Sequence, residues 1–552
     1  MRYSVPILTG MLRERGFSLD SSRLHKSLSY IGRIEAAGEI FSVELRIVDP
    51  SLIDLPKIFL RERSIRIPEL ANHISPSGEV CYQARGTAFI DPDSPEASIV
   101  SCLDRAGDTL GCLSRGDPLA DAPAEFLSYW DGELLWLIDC HENQAKKALT
   151  WLELSQDKRV INLVSSTSAG TAWAKAGYKV APVHSQIAIV ELSKSPCPLP
   201  GNWPPRSLRS TDNWLTRSDP LAANRLHSQL EKFFRGGSAQ VLIVFCHERT
   251  FFGILFSTKT RPSSKFQRAH AWVTSLLSRN PVEIRATRVT LHPTDITYLT
   301  TRSLPGRWSS SPLSDKKIIL VGCGAIGSHL ACLLARLGAG SGRGVLTIVD
   351  DEYLLSANLG RHALGADSLF KNKAVGVFDK LSREWPQLNV TPRDCKIQEI
   401  KDLSRADIVI DATGEEAISH WLNEKFIGGQ VKALLFAYVI GAGSAAQVLL
   451  LDDRKQGCFR CRADGEKRPF FPTSAESDVK YVAGAGCDGY YTPFPVSAGL
   501  SAAVLAAELM LDWARNEPKP RMRHRNINAK QDVKSRDLPK RYGCPACGSQ
   551  IG

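Results

Sequence analysis

Three groups of residues in this sequence have types and spacing suited to chemistry. In "KKIILVGCGAIGSHLACLLARLGAG" (316–340), Gly322, Gly324 and Gly327 make G-x-G-x-x-G between an apolar run and a helical one. Glycines there permit a tight turn and close backbone approach, and the following helix start offers free N–H groups to phosphate. The next apolar run, "GVLTIVDDEY" (344–353), delivers Asp350, 23 residues after Gly327, where a carboxylate can hold a ribose hydroxyl. Asn358, Arg361 and Lys373 follow. Three such polar groups suit a triphosphate better than a nicotinamide ring. The second group is two Cys-x-x-Cys pairs, Cys458 with Cys461 and Cys544 with Cys547. They read as a tetrahedral four-thiolate zinc site, structural because no position is left open for water. The third group is two isolated cysteines. Cys81 stands in "SPSGEVCYQ" (75–83), and Cys487 stands among glycines and before prolines in "YVAGAGCDGYYTPFPVSAGL" (481–500). Either is a nucleophile if its thiolate is accessible, or a small hydrophobe filling a gap.

These residues need elements to hold them. The chain has 552 residues, room for about three domains. With 43% hydrophobic and 23% charged residues, it has an ordinary globular composition. The apolar run 501–513 reads as too short to span a bilayer, and the first sixteen residues lack a secretory core. The fourteen cysteines fit no small secreted disulfide framework, which points to a reducing, cytoplasmic setting. The net charge of +11 owes much to a basic stretch from Arg521 to Arg541, read as a basic tail rather than a nucleic-acid site. Residues 41–49 and 55–63 alternate as half-buried strands, and 239–257 reads as a hairpin. Beyond about 301 the pattern becomes strand–helix–strand, as in a parallel α/β sheet.

The glycine turn, the acid, "SANLGR" (356–361) and Lys373 resemble, in order and spacing, the ThiF/MoeB/ubiquitin-activating family. That resemblance implies ATP-dependent adenylation of the C-terminal carboxylate of a small protein, with magnesium and a structural zinc. It implies that Asp350 holds the ribose and that Asn358, Arg361 and Lys373 neutralise phosphate. The family's magnesium-binding Asp is replaced by Gly414 in "DIVIDATGEEA" (407–417), leaving Asp411, Glu415 or Glu416 for the cation. Cys487 would be the thioester cysteine of a crossover loop. Residues 41–130 resemble a ubiquitin-conjugating fold, in which "GEVC" makes Cys81 an acyl carrier. The usual His-Pro-Asn triplet is absent, and His73 or its neighbour Asn72 is the candidate oxyanion donor. Cys102 and Cys112 read as core residues of the following helix.

Taken whole, the chain resembles the conjugating–activating fusion enzymes of type II CBASS antiphage operons. The expected fold is α/β multidomain: an α+β ubiquitin-conjugating-like domain (1–155), an α/β linker domain (156–300) and a Rossmann-like ThiF/MoeB adenylation domain (301–552). The resemblance implies that the enzyme joins a cGAS/DncV-like nucleotidyltransferase to a target lysine. It also implies a homodimer; Arg302 and Arg307, by their position before the glycine turn, are the candidates to reach a neighbour's ATP, and the composition and charge pattern lead to the expectation of neither a membrane nor a nucleic-acid partner. The competing readings are a sulfur-carrier adenylyltransferase with an inert N-terminal scaffold, a non-catalytic nucleotide- or nucleic-acid-binding module and, further behind, a nicotinamide oxidoreductase.

Overall fold

The computed structural model describes residues 3–20, 28–49, 51–62, 67, 71–75, 77–83, 90–116, 121–123, 125–140, 149–166, 169–183, 186–199, 203–235, 240–258, 284–306, 310–464, 468–469, 482–483, 490–528 and 533–548. Two compact units emerge: Met1–Trp136 with His184–His292, and Leu137–Val183 with Pro293–Gly552. The stretch 156–300 contributes to both.

In the first unit, helix α1 (Val5–Glu14) precedes four antiparallel strands in sequential order, β1 (Ser18–Leu19), β2 (Leu28–Ala36), β3 (Glu39–Ile47) and β4 (Lys57–Leu60). Phe41, Val43 and Leu45 of β3 alternate into the core, as period-2 patterning requires. Glu44 is buried too, but its carboxylate accepts from Arg46 at 2.6 and 2.7 Å and from the Ser29 hydroxyl at 2.8 Å. The charge is therefore paired. Helix α2 (Pro95–Arg115) covers the sheet with Ile99, Leu103, Ala106 and Leu110. Cys102 is buried with them, but Cys112 is exposed. Ten residues on at 100° per residue, Cys112 has turned off the apolar face, which corrects its reading as core. The later part of this unit holds the expected hairpin, Gln240–His247 against Thr250–Thr258, over a cluster of Phe126, Trp130, Trp214 and Phe252.

The second unit is built on a seven-stranded sheet. In chain order its elements are β5 (Lys317–Val321), α3 (Gly327–Arg336), β6 (Val345–Val349), α4 (Lys373–Glu384), β7 (Val390–Arg393), β8 (Ile408–Asp411), α5 (Glu416–Ile427), β9 (Leu434–Ile440), β10 (Ala445–Leu451), α6 (Val496–Ala514) and β11 (Met522–Asn526). The strand order is β7-β6-β5-β8-β9-β10-β11, with the first five parallel and β10 antiparallel to both its neighbours, β9 and β11. The order reverses between β5 and β8, the place where open α/β sheets bind ligands beyond their strand ends. Val321 pairs with both Val349 and Asp411, so the three strand ends are level there.

Helix α6 corrects the reading of 501–513 as too short to span a bilayer. It runs 19 residues with a mean hydropathy of 1.4, long and apolar enough by length and composition to cross a membrane. Here it packs on α3, β9 and β10, burying Ala498, Ala502, Ala503, Ala506, Leu509 and Met510 in the core. Its small residues let the helix lie close, so Ala503→Leu should overpack the site and cost about 1–3 kcal/mol. A urea midpoint equal to wild type would contradict this packing.

Candidate functional site

The glycine turn follows β5 and is shaped by two close approaches. A Cβ on Gly327 would lie 1.8 Å from the Gly322 carbonyl oxygen, and one on Gly322, at φ +84°, would lie 2.8 Å from the Thr413 backbone. Both positions are closed to larger residues. Around Gly324 nothing lies within 4 Å of such a Cβ, so this glycine borders open space at the start of α3.

Asp350, just past β6, is mostly buried and braces the turn. Its carboxylate accepts from the Cys323 N–H at 2.6 Å and the Glu352 N–H at 2.9 Å. Burial raises its pKa, against the pull of those two bonds. Asn372 caps α4 through the Val375 N–H (3.1 Å) and donates from Nδ2 to the Asp350 carbonyl oxygen at 2.8 Å and the Asp394 carboxylate at 2.7 Å. This cap ties Lys373, buried and paired with Glu352, to the end of β6. Asn358 and Arg361 belong to one 3₁₀ turn, Ser356–Arg361. The Asn358 Oδ1 accepts from the Leu355 N–H at 2.9 Å, and the Arg361 guanidinium stands 4.8 Å from the centre of the Phe494 ring. Asp411 ends β8 almost wholly buried. One of its oxygens accepts from Thr413 N–H (3.0 Å) and Oγ1 (2.7 Å), the other from Ser419 Oγ (2.6 Å). Glu415 lies close by, its pKa raised by burial and by Glu352, Asp351, Asp411 and Asp350. The structure thus gathers Gly322, Gly324, Gly327, Asp350, Lys373 and Asp411 around one strand-end crevice, with Asn358 and Arg361 on the turn joined to it through His362.

That histidine escaped the sequence reading. His362 is buried, and its Nδ1 accepts from the Leu364 N–H at 3.0 Å. The proton therefore sits on Nε2, which donates to the Cys323 carbonyl oxygen at 2.5 Å. The imidazole clips the 3₁₀ turn to the glycine turn. Nothing local distinguishes it beyond its place directly after Arg361. The N-cap role of Asn372, by contrast, is the kind of signal that a polar residue before a helix start supplies.

The four paired cysteines form a separate cluster with all sulfurs within 4.8 Å of one another. Sγ separations are 3.9 Å (Cys458–Cys461), 3.7 Å (Cys458–Cys544) and 3.4 Å (Cys461–Cys547). Tetrahedral zinc at about 2.3 Å from sulfur spaces its ligands by about 3.8 Å, so the set fits. The Arg541 N–H donates to Cys461 Sγ at 3.3 Å, an orienting bond of the kind thiolate ligands receive.

In the first unit, Gly78 of "GEVC", at φ +85°, passes so close to β4 that a Cβ would lie 2.6 Å from the Leu60 carbonyl oxygen. Backbone bonds from Leu60 N–H to Gly78 (2.8 Å) and from Val80 N–H to Ile58 (2.8 Å) lay this segment along β4 and leave the Cys81 thiol exposed at its end. The Cys81 N–H donates to the His73 carbonyl oxygen at 2.7 Å. Asn72 is 1% exposed, with Oδ1 accepting from Tyr129 at 3.4 Å. His73, at φ +58°, is accessible, with ring nitrogens 3.7 Å from Asp121 and 3.8 Å from Glu125. Cys487 and Arg307 lie outside the described residues.

The basic stretch is folded rather than free. Arg521 pairs with Asp452 (2.6 Å), Arg523 with Asp512 (2.7 Å) and Arg525 with Glu508 (2.9 Å).

Comparison with known proteins separates the two ends of the chain. The ThiF family matches residues 303–546, and Prokaryotic E2 family B matches residues 4–134. The ATP-dependent ubiquitin transferase-like protein Cap2 of Pseudomonas aeruginosa is 30% identical over 517 residues, 91% of this chain and 91% of its own. The protein of that name from Vibrio cholerae is 24% identical over 567 residues, 97% of this chain and 96% of its own. Among solved structures, E. coli MccB with ATP matches 43% of this chain and 68% of its own at 20% identity and a TM-score of 0.34.

Two expectations follow from the geometry. Purified protein should contain about one zinc per chain, lost in Cys461→Ser; metal analysis that finds none in folded protein would contradict the cluster's role. Burial holds the His362 pKa down, from 6.5 to about 4. Its contribution is whole above pH 6.5 and lost as pH falls toward 4, because the unfolded chain takes up a proton there first. His362→Gln should therefore lose less stability than wild type between pH 7 and pH 5, read as the shift in urea midpoint; parallel shifts would count against a neutral, buried imidazole.

Proposed function

Because this chain belongs to the family of ATP-dependent ubiquitin transferase-like Cap2 proteins, an activating and conjugating enzyme with a ThiF adenylation domain, we propose that it joins the C-terminus of a cGAS/DncV-like nucleotidyltransferase to a target lysine in antiphage defence. The observation that carries the chemical part of this reading is the strand-end crevice, where an open glycine backbone, a bracing acid and two cations meet. The target rests on the resemblance of the whole chain.

The cargo's carboxylate attacks the α-phosphorus of ATP, and pyrophosphate leaves. Arg361 and Lys373 oppose the charge that gathers on the phosphate oxygens, and Asp350 holds the ribose. Magnesium would be held at Glu415 or Glu416, since Asp411 is almost wholly buried and its carboxylate already accepts three hydrogen bonds. It would neutralise the departing pyrophosphate. The Cys487 thiolate then attacks the acyl-adenylate, forming a thioester and releasing AMP. The Cys81 thiolate attacks that thioester and frees Cys487. A lysine amine finally takes the acyl group from Cys81, forming an amide and returning the thiol. Each thiol step exchanges one acyl bond for another of similar energy, so ATP is the sole energy source. His73 is the side-chain donor for the last oxyanion, because its ring is partly exposed whereas Asn72 is almost wholly buried.

Arg361→Ala and Lys373→Ala should each lower cargo-dependent ATP–pyrophosphate exchange by about tenfold or more, the loss of a charge-assisted hydrogen bond. Unchanged exchange in both would overturn the ATP-site assignment. Cys487→Ala should leave exchange intact and abolish thioesters at both cysteines, whereas Cys81→Ala should retain a thioester at Cys487 and stop amide formation. Non-reducing gels with ATP and the nucleotidyltransferase distinguish the two. Normal amide product from Cys81→Ala would reduce Cys81 to a packing residue.

A further inference from the structure

A cavity of about 660 Å³ opens from the glycine turn and follows β9 away from it. At the near end it is lined by Gly324, Asp411 and Thr413, at the far end by Tyr438, Phe459 and Arg462. Arg462 carries the positive charge among the lining residues. Its guanidinium lies against two rings set at 80° to each other, 4.4 Å from the centre of Phe459 and 4.8 Å from that of Tyr438, whose hydroxyl is also a hydrogen-bond partner. Its Nε is buried without a hydrogen-bond partner, and no carboxylate lies within ion-pair distance among the described residues. A buried donor left unpaired is costly, and the two aromatic rings hold the guanidinium in place. This arginine is therefore oriented and has bonding capacity in reserve.

Its position is held from behind. Phe459 and Arg462 lie on the 3₁₀ turn Phe459–Arg462, which also carries Cys461 of the four-cysteine cluster. The Phe459 N–H donates to the buried Asn423 Oδ1 at 2.9 Å. Along β9, Phe436 pairs with Asp411 at the phosphate end, and Tyr438 comes two residues later. At about 3.3 Å per residue, Tyr438, whose ring Arg462 covers, lies roughly 7 Å along the strand from the Asp411 pairing. An extended chain whose last carboxylate reaches the crevice would cover that distance with about two residues.

We infer that Arg462 is a specificity-determining residue that receives an Asp or Glu side chain about two or three residues before the C-terminus of the adenylated protein. This rests on the adenylation reading above. The cargo tail lies along β9, its terminal carboxylate at the glycine turn and its acidic side chain at the edge of the guanidinium, where the N–H groups point. A carboxylate there would use guanidinium donors that the two rings leave unpaired, Nε among them.

The test is ATP–pyrophosphate exchange by the full chain with synthetic decapeptides ending in glycine, carrying Asp, Asn or Lys at the third or fourth position from the end. Wild type should use the Asp peptides with a kcat/KM about tenfold to a hundredfold above the Asn peptides, the range of a charge-assisted bond, with Lys peptides poorest. Arg462→Glu should reverse the ranking in favour of Lys, and Arg462→Lys should keep the preference for acid. Zinc content and the ATP-induced rise in Tm report whether each variant is folded. If Arg462→Glu fails to fold, Arg462→Gln replaces it and should level Asp and Asn. Equal use of Asp, Asn and Lys by wild type, or an unchanged ranking in a folded Arg462→Glu or Arg462→Gln enzyme, would overturn the assignment. Absence of exchange with every peptide, while the nucleotidyltransferase does support it, would also overturn this placement of the tail. Absence with both would overturn the adenylation reading beneath it.

Discussion

The backbone of Gly327 lies against the carbonyl oxygen of Gly322 at a distance no side chain could share. That contact folds the chain back from strand into helix at the point where the sheet order reverses. Its consequences spread through neighbouring backbone groups. Cys323, caught inside the turn, gives its N–H to Asp350 and its carbonyl to His362. Through Asp350 the turn is joined to Asn372 and the start of α4, hence to Lys373. Through His362 it is joined to the segment that carries Asn358 and Arg361. Gly324 meanwhile stays open. A rigid backbone loop thus sets the positions of both cations and the acid without contributing a side chain of its own.

Much of this arrangement was legible in the sequence because it depends on short-range steric demands. Glycines at fixed spacing after an apolar run mark a turn too tight for side chains, and two Cys-x-x-Cys pairs offer sulfur at metal spacing whatever lies between them. Gly78 of "GEVC" belongs to the same class, since close passage along β4 excludes a side chain there. The illegible parts depend on distant partners. His362 matters only because Cys323 lies opposite it. Asn72 is buried where it meets Tyr129, more than fifty residues away, while His73 beside it is partly exposed. Cys112 carries an apolar type yet faces outward, because helical phase and not residue type decides burial. For α6, composition could not separate a core helix from a spanning one; its alanines on α3 and β10 do. The stretch 156–300 shows no chemical motif, and periodicity alone cannot reveal that its strands are shared between two units.

The four-cysteine cluster takes on a second meaning in this light. Cys458 and Cys461 bracket the turn that places Phe459 against Phe436 (centroids 4.4 Å apart) and Arg462 over Tyr438. Cys544 and Cys547 bring in the chain's last described segment, and the arginines before it are neutralised by acids of the same unit. What reads as a basic tail is thus the outer strand β11 and its continuation. Metal binding there would stabilise the wall of the cavity as well as the end of the chain, because ligand binding to the folded form alone adds to its stability.

The central claim is that one chain both activates a protein carboxylate and carries it on Cys81. Replacing that thiol by an amine, in Cys81→Lys, converts the transient thioester into an amide that survives purification. Peptide mass spectrometry of this variant isolated from its native host should find position 81 joined through its side-chain nitrogen to the C-terminal residue of the nucleotidyltransferase, and the adduct should vanish when Arg361→Ala is added. An unmodified side chain at that position, with cargo still amide-linked to target lysines, would contradict the account.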